Sequence, residues 1–479
     1  MAVLGGLEPQ RVFYWFEEIC RIPHGSGNTK ALSDYLTAFA RGRGLAVRQD
    51  ALGNVIIKKP AAAGYEAAPS VLLQGHMDMV CEKEPGCEKN MDTQGLDLAV
   101  DGDTVYAVGT TLGGDDGIAV AMILALLESE DLPHPALEAV LTVDEETGMT
   151  GAAGIDLSDL DSRLLINLDS EVEGVFTAGC AGGAMACISV PVKRGAFTGE
   201  LCQLHISGLV GGHSGIEINS GRANADVLLG RVLYAVSQVT AMRIVSVSGG
   251  NKDNAIPVSA AAVLAVESRE EAAAACEEME SVFRREYAVA DGNIAVTLQP
   301  CGTGETPMDA DSTRRVLTLL QCAPNGVQEM SREVEGLVQT SLNLGILTTE
   351  AKAVQASFCV RGNIDSQKDM LLHRLELLGE LLGGTYSVSG VYPAWEYRAD
   401  SPLRRLMSEI FREQYGRAPT VEVIHAGVEC GLLAEQLPGL DCVSIGSELT
   451  QIHTPRERMH IASVRRTWEL VTQTLRRIQ

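Results

Sequence analysis

The chain has 479 residues, 46% of them hydrophobic and 21% charged, an ordinary composition for a folded protein of two or three domains. With 38 Lys and Arg against 63 Asp and Glu the formal net charge is −25, which argues against a nucleic-acid or anionic-membrane binder, since both need a basic face. The longest apolar runs, around Ile118–Leu127 and Ala260–Val266, are too short for a membrane span. Glu8, Arg11, Glu17 and Glu18 leave no room for the apolar core of a signal peptide. The 12 cysteines form no CxxC pair and no regular framework, as expected of reduced core residues in a cytosolic protein.

Taken in chain order, Glu8–Arg21 and Lys30–Arg43 read as amphipathic helices and Asn54–Lys58 as a strand. Ser70–Gln74, Ala139–Val143 and Leu164–Leu168 are short apolar runs of the buried-strand type, and Asp115–Ser129, between the first two, reads as a buried helix opening in a glycine-rich turn. This alternation predicts an α/β layer with a mostly parallel sheet covered by helices. From about residue 184 the pattern changes to period-two strands, such as Leu201–Ser207 and Ala353–Arg361, with helices at Arg222–Val236 and Ser268–Tyr287 between them. We therefore expect an α+β domain over 184–391, large enough for two halves, inserted into a catalytic domain formed by 1–183 and 392–479. A strand at Cys442–Ile445 and a helix at Ile461–Arg477 close the chain.

Ligands of such sheets bind at the carboxyl ends of the strands, so the residues found there matter most. His76 follows the strand SVLLQG, with Asp78 two residues later to orient its ring. Asp115 and Asp116 sit between glycines at the start of the apolar helix, where glycines would let the backbone crowd a metal and a carboxylate could bridge two ions. Asp144, Glu145 and Glu146 follow the strand AVLTV, Asp169 ends LLINL, and His453 lies in the loop beyond CVSI. Taken singly, these are a core histidine, a helix cap or a solvated acidic loop. Together they supply two histidines and three carboxylates, with one Glu left over as a base. That set suits two divalent cations, Zn²⁺, Co²⁺ or Mn²⁺, and a hydrolytic reaction.

The motifs GHMDMV, TTLGGDDGIA, TVDEETGMTGA, INLDSE, GGHSGIEI, NAIP and HAGVECGLL resemble those of the cytosolic metallo-dipeptidases of the aminoacyl-histidine (Xaa-His) type. The resemblance runs from Ile22-Pro23-His24 to the His453 loop. It implies a zinc-exopeptidase-like catalytic domain with an inserted lid. His76, Asp115 and Asp169 would hold one metal, and Glu146 and His453 the second, with Asp115 as the bridge. Asp78 would orient His76, Glu145 would be the general base, and His213 of GGHSG a further oxyanion donor. For a free substrate carboxylate Arg361 is the candidate, set against a surface ion pair, with Asn254 and His425 as polar lining. Glu429 is read as meeting either a free amine or a nearby base. A thiol nucleophile at Cys180 lacks a dedicated base.

The expected activity is hydrolysis of unblocked dipeptides, Xaa-His included, in the cytoplasm. A small peptide is the partner, nucleic acid and membrane are not, and a homodimer through the lid domain is compatible with the sequence. A tripeptidase or an N-acyl amino acid deacylase could use the same residues. An inactive metal-binding assembly protein is the non-enzymatic alternative, against which the retained Glu145 and the complete ligand set count.

Overall fold

A computed structural model describes residues 2–302 and 306–479. It divides into two compact units, Met1–Cys180 with Tyr397–Val423 and Val428–Gln479, and Ala181–Glu396 with Ile424–Gly427.

The first unit is built on an eight-stranded sheet. In spatial order the strands are Ala46–Gln49, Val55–Lys59, Leu137–Thr142, Val71–His76, Leu164–Asn167, Asp441–Ser444, Val175–Cys180 and Thr420–Ile424. Leu137–Thr142, Val71–His76, Leu164–Asn167 and Asp441–Ser444 are mutually parallel neighbours. Antiparallel strands flank them on either side. The first three are buried along almost their whole length, which is why they read as continuous apolar runs rather than alternating ones. The expected α/β layer is thus borne out as a mixed sheet, with parallel pairings at its centre and antiparallel ones on both sides.

Helix Gly114–Glu128 explains its unbroken apolar sequence in the same way. All residues from Gly114 to Leu127 are buried, so it has no solvent face and no amphipathic period. Helices Gln10–Cys20, Lys30–Gly42, Pro402–Tyr415 and Ile461–Arg477 are amphipathic and add Phe13, Phe16, Leu36, Phe411 and Val471 to one hydrophobic core. A small four-stranded sheet, in the order Leu449–Thr450, Arg458–His460, Thr104–Ala107 and Leu98–Asp101, was not anticipated. Its strands are only two to four residues long, too short for period-two alternation to show.

The second unit contains a nine-stranded antiparallel sheet and its own core. The group Ala295–Pro300, Glu200–Ser207, Ala260–Val266 and Met242–Gly249 meets the group Val338–Thr349, Ala353–Gly362, Gly182–Pro191 and Thr385–Tyr392 through the single register pair Gly249–Leu347. Asp226, in the first turn of helix Ala225–Val239, has no solvent exposure, and neither of its carboxylate oxygens has a hydrogen-bond partner among the described residues. A Cβ on Gly249 would fall 1.6 Å from Asp226 Oδ1, so the carboxylate occupies the space that this glycine leaves.

Burial pushes Asp226 from 3.8 up to about 8. The folded state then holds a proton that the unfolded chain releases near pH 4. Stability on this account is full below pH 4 and falls as pH rises toward 8. We expect Asp226→Asn to raise the Tm more at pH 8 than at pH 5. Thermal unfolding at the two pH values checks this, and an equal shift at both would refute it.

Candidate metal centre

The parallel strands all deliver chemistry at their carboxyl ends within the first unit. His76 is the last residue of its strand, Asp144-Glu145-Glu146 comes just after Leu137–Thr142, and Asp169 lies two residues past Asn167. Beyond Asp441–Ser444 the chain forms the hairpin Leu449–Thr450/Arg458–His460, with His453 in its loop.

His76 is 1% exposed. Its Nδ1 lies 3.0 Å from the main-chain carbonyl of Asp78, which can only accept, so that nitrogen carries a proton and Nε2 is turned to the acids. Nε2 is 3.1 Å from Asp115 Oδ1 and 3.4 Å from Asp169 Oδ1. His453 Nε2 is 3.1 Å from Asp115 Oδ2 and 2.9 Å from Glu146 Oε1. The two oxygens of Asp115 are therefore divided between the two histidines, the disposition of a bridging carboxylate. His453 holds φ +59, a left-handed conformation that costs a residue with a side chain on the order of 1 kcal/mol or more and tends to persist where function demands it.

Asp116 turns elsewhere. Its Oδ2 accepts the main-chain N–H of His76 at 3.1 Å. Burial, then Asp169, raises its carboxyl well above the ordinary range. Among the described residues, donor atoms fall within 4.8 Å of one another in three sets: His76–Asp116–Asp169, His76–Glu145–Glu146 and Asp115–Glu146–His453.

The electrostatics show a surplus of acid. Burial, and then the charge of Asp169, pushes Glu145 up to about 9. Burial pushes Asp169 to about 6, with His76 opposing. Asp115 and Glu146 raise His453 to about 10. Burial alone would lower His76, but Asp169, Asp115 and Asp78 carry it well above its usual value. Asp115, although buried, is held well below the carboxylate range by His453 and His76. Imidazole nitrogens and carboxylate oxygens carrying more negative charge than their surroundings neutralise are a donor set that fits two divalent cations.

Two expectations are modified by the geometry. Asp78 was assigned to orient His76, yet its Oδ1 stands 3.5 Å from Nδ1, farther than its own main-chain carbonyl. The carboxylate instead accepts the N–H groups of Glu145 (3.0 Å) and Glu146 (3.3 Å) and the hydroxyl of Ser26 (2.8 Å), so it shapes the acidic turn as much as the histidine. The glycines around Asp115 do not leave room for a metal. A Cβ on Gly113 would meet Met79 at 2.8 Å, one on Gly114 would meet Glu457 at 3.1 Å, and one on Gly117 the Phe16 ring at 3.2 Å. They admit protein packing.

Three acids escaped the sequence reading or were misread. Glu171 is pushed up to about 7 by burial and then by Asp115 and Asp169. Glu429 is fully buried, and its Oε2 accepts from Gln74 Nε2 and Thr142 Oγ1, each at 2.6 Å, so its partners are neutral groups and not a base. Glu457, 3% exposed, accepts main-chain N–H groups of the Asp115 loop. The TPRE stretch that carries Glu457 has no feature that would single it out.

The other expected site residues belong to the second unit. His213 Nδ1 accepts the N–H groups of Gly215 and Ile216, each at 3.2 Å, which places the proton of the neutral ring on Nε2. Burial and then Arg361 lower its pKa and favour that neutral form. Arg361 is 6% exposed. Its Nη1 donates to the Tyr392 hydroxyl at 3.0 Å, its Nε lacks a partner, and no carboxylate pairs with it among the described residues, which removes the surface ion pair as its role. His425 has Ser341 Oγ 2.7 Å from Nε2 and Asn363 Oδ1 2.8 Å from Nδ1, and burial lowers it to about 3. With both nitrogens engaged, it orders its surroundings more than it offers a free group. Asn254 is exposed.

A family model described as peptidase family M20/M25/M40 matches residues 72–477. The cytosol non-specific dipeptidase of Escherichia coli (strain K12) is 37% identical over 482 residues, covering 100% of this chain and 99% of that one. The crystal structure of an aminoacylhistidine dipeptidase from Vibrio alginolyticus superposes with a TM-score of 0.94 at 37% identity, covering 99% of this chain and 98% of that one. An aminopeptidase PepT from Bacillus cereus shares the fold, with a TM-score of 0.57 at 16% identity, covering 98% and 99%.

Proposed function

The chain belongs to peptidase family M20/M25/M40, and from that premise we propose that it is a metal-dependent dipeptidase acting on unblocked dipeptides, Xaa-His included. The observation that carries this reading is the division of the Asp115 oxygens between His76 and His453, with Asp169 and Glu146 closing the two ends. In this proposal His76, Asp115 and Asp169 would hold one ion and Asp115, Glu146 and His453 the other, with zinc as the first candidate and cobalt or manganese as alternatives. When bound, such ions supply Lewis-acid polarisation of the scissile carbonyl and a water that loses its proton near neutral pH.

The chain's own groups do the rest. Glu145 accepts the water's proton on a carboxylate oxygen and returns it to the leaving amine. Its upward shift comes from burial and then from the crowded acids, and cations among them would act in the opposite direction. Asp78 fixes the main chain of Glu145 and Glu146 through its two acceptor bonds. The substrate-facing roles of His213 and Arg361 form part of the same proposal, supported by what each presents within its own unit, with Asn254 as exposed polar lining and His425 as a residue that orders its surroundings. His213 offers an Nε2–H to an oxyanion, and Arg361 offers a buried guanidinium with donors to spare for a carboxylate.

A cytoplasmic setting is supported by the name of the Escherichia coli relative. A homodimer through the second unit is supported by exposed Leu377, Leu381 and Val391 on its last helix and outer strand, and a sedimentation experiment would decide it.

The test is hydrolysis of β-Ala-His, Gly-His, Leu-Gly, an alanine tripeptide and an N-acetyl amino acid by metal-stripped protein, before and after addition of Zn²⁺, Mn²⁺ or Co²⁺. Metal-restored cleavage of the dipeptides with the acetylated compound untouched is expected. Cleavage of the acetylated compound alone would make the protein a deacylase, and preference for the tripeptide a tripeptidase. Inertness with metal bound would leave a binding protein. On the dipeptides, Arg361→Ala is expected to raise KM about 10- to 100-fold, from the ~1.5–3 kcal/mol of a charge-assisted hydrogen bond, with a smaller change in kcat. Steady-state kinetics checks this, and an unchanged KM would remove Arg361 from carboxylate recognition.

A further inference from the structure

Glu457 makes contacts that neither the ligand set nor the chemistry of Glu145 uses. It follows His453 by four residues in the same hairpin loop, and its carboxylate is buried. Oε2 accepts the main-chain N–H groups of Leu112 (2.8 Å) and Gly113 (3.0 Å), and Oε1 those of Gly114 (2.8 Å) and Asp115 (3.4 Å). Four consecutive N–H groups thus converge on one side chain that lies more than 340 residues away in sequence.

An ordinary helix cap is too small a description. A cap satisfies donors of the first helical turn. Here the donors precede or form the non-helical stretch, in which Asp115 has φ −83 and ψ 106. The loop can take the carboxylate at this distance because Gly114 has no side chain, a Cβ there reaching to 3.1 Å from Oε1. The hairpin is in turn anchored, since Met459 pairs with Leu449 on one side and Val105 on the other. One hairpin therefore holds the Asp115 loop at two points. His453 meets the Asp115 side chain at Oδ2, and Glu457 holds the main chain that carries it.

We propose that Glu457 is a positioning residue of the metal centre: it clamps Leu112–Asp115 against the His453 hairpin so that Asp115 presents one oxygen to each histidine. The proposal rests on the metallopeptidase reading. Glutamine at this position retains one carbonyl oxygen but turns an NH₂ toward main-chain donors, so at least one N–H loses its acceptor. Aspartate keeps the charge but reaches one methylene less far.

The experiment titrates Zn²⁺ into metal-stripped, full-length wild type, Glu457→Gln, Glu457→Asp, Asp115→Asn and the exposed control Arg456→Ala, against a chromophoric chelator. Circular dichroism and thermal unfolding of the stripped forms accompany it. Wild type and Arg456→Ala should take up two ions. Glu457→Gln, folded at the titration temperature, should lose about 10- to 100-fold in affinity at one site or both, as orienting partners of metal ligands do. Glu457→Asp should lose less, and excess metal should restore kcat with little change in KM. A folded Glu457→Gln or Glu457→Asp that binds both ions with wild-type affinity, differing only in melting temperature, would reduce Glu457 to a structural cap and overturn the proposal. Wild type binding no Zn²⁺, Mn²⁺ or Co²⁺, with Asp115→Asn indistinguishable from it, would overturn the metallopeptidase reading itself and the clamp's purpose with it.

Discussion

Glu145→Gln should lower kcat on β-Ala-His and Gly-His by about 10³-fold or more, roughly 4 kcal/mol of transition-state stabilisation, while leaving bound metal at the wild-type level. The amide has the size of the carboxylate but cannot take a proton from water or return one to the leaving amine. The main chain at this residue is held by Asp78 through a 3.0 Å bond from the Glu145 N–H, which the substitution leaves alone. The turn should therefore stay in place, and KM should change little. Steady-state kinetics together with metal analysis on the same preparation decides the matter. A fall in kcat of less than tenfold would move the base role to another acid, with Glu171 the first to test because it is half-buried and the charges of Asp115 and Asp169 add to the upward push on its carboxyl. A parallel loss of metal would make Glu145 a ligand.

Asp115→Asn should have the larger effect on metal. Among the described residues Asp115 is the one side chain that meets both histidines, with Oδ1 on His76 and Oδ2 on His453. An amide offers a single oxygen and no charge, so it can serve one ion at most. Metal retained after gel filtration is expected to drop from two ions to one or none. Activity should fall about 10³-fold or more and should not return on adding excess metal, because the lost bridge is part of the site and not a matter of occupancy. Asp116→Asn is the informative partner. Asp116 accepts the main-chain N–H of His76, a bond that the amide oxygen can also make. Its metal content should stay near wild type. The reverse outcome, with Asp116→Asn stripped of metal and Asp115→Asn intact, would assign the bridge to the other aspartate.

His76, Glu145, Glu146, Asp169 and His453 could be picked out in the sequence for one physical reason. A buried parallel strand reads as a mainly apolar run, so a charged residue that follows such a run lies at or beyond the sheet's carboxyl edge. The helix Gly114–Glu128 was legible for the same reason, being apolar on every side. Regular elements of the second unit were legible through period two and the helical repeat, and their predicted ends lie within about three residues of those observed. These are local properties, carried by residues a few positions apart.

What the sequence by itself determined, then, is the kind of layer and which charged side chains stand at the carboxyl ends of its strands. The tertiary structure decided which partner each of those side chains meets. Glu457 reaches Leu112–Asp115 across more than 340 residues, Glu429 reaches Gln74 across 355, and Ile424–Gly427 leaves the first unit to put His425 between Ser341 and Asn363. Nothing in the neighbouring residues marks these pairings. A buried carboxylate accepts whatever donors the packed chain brings within about 3 Å, and that choice is made only when the separate segments close on one core.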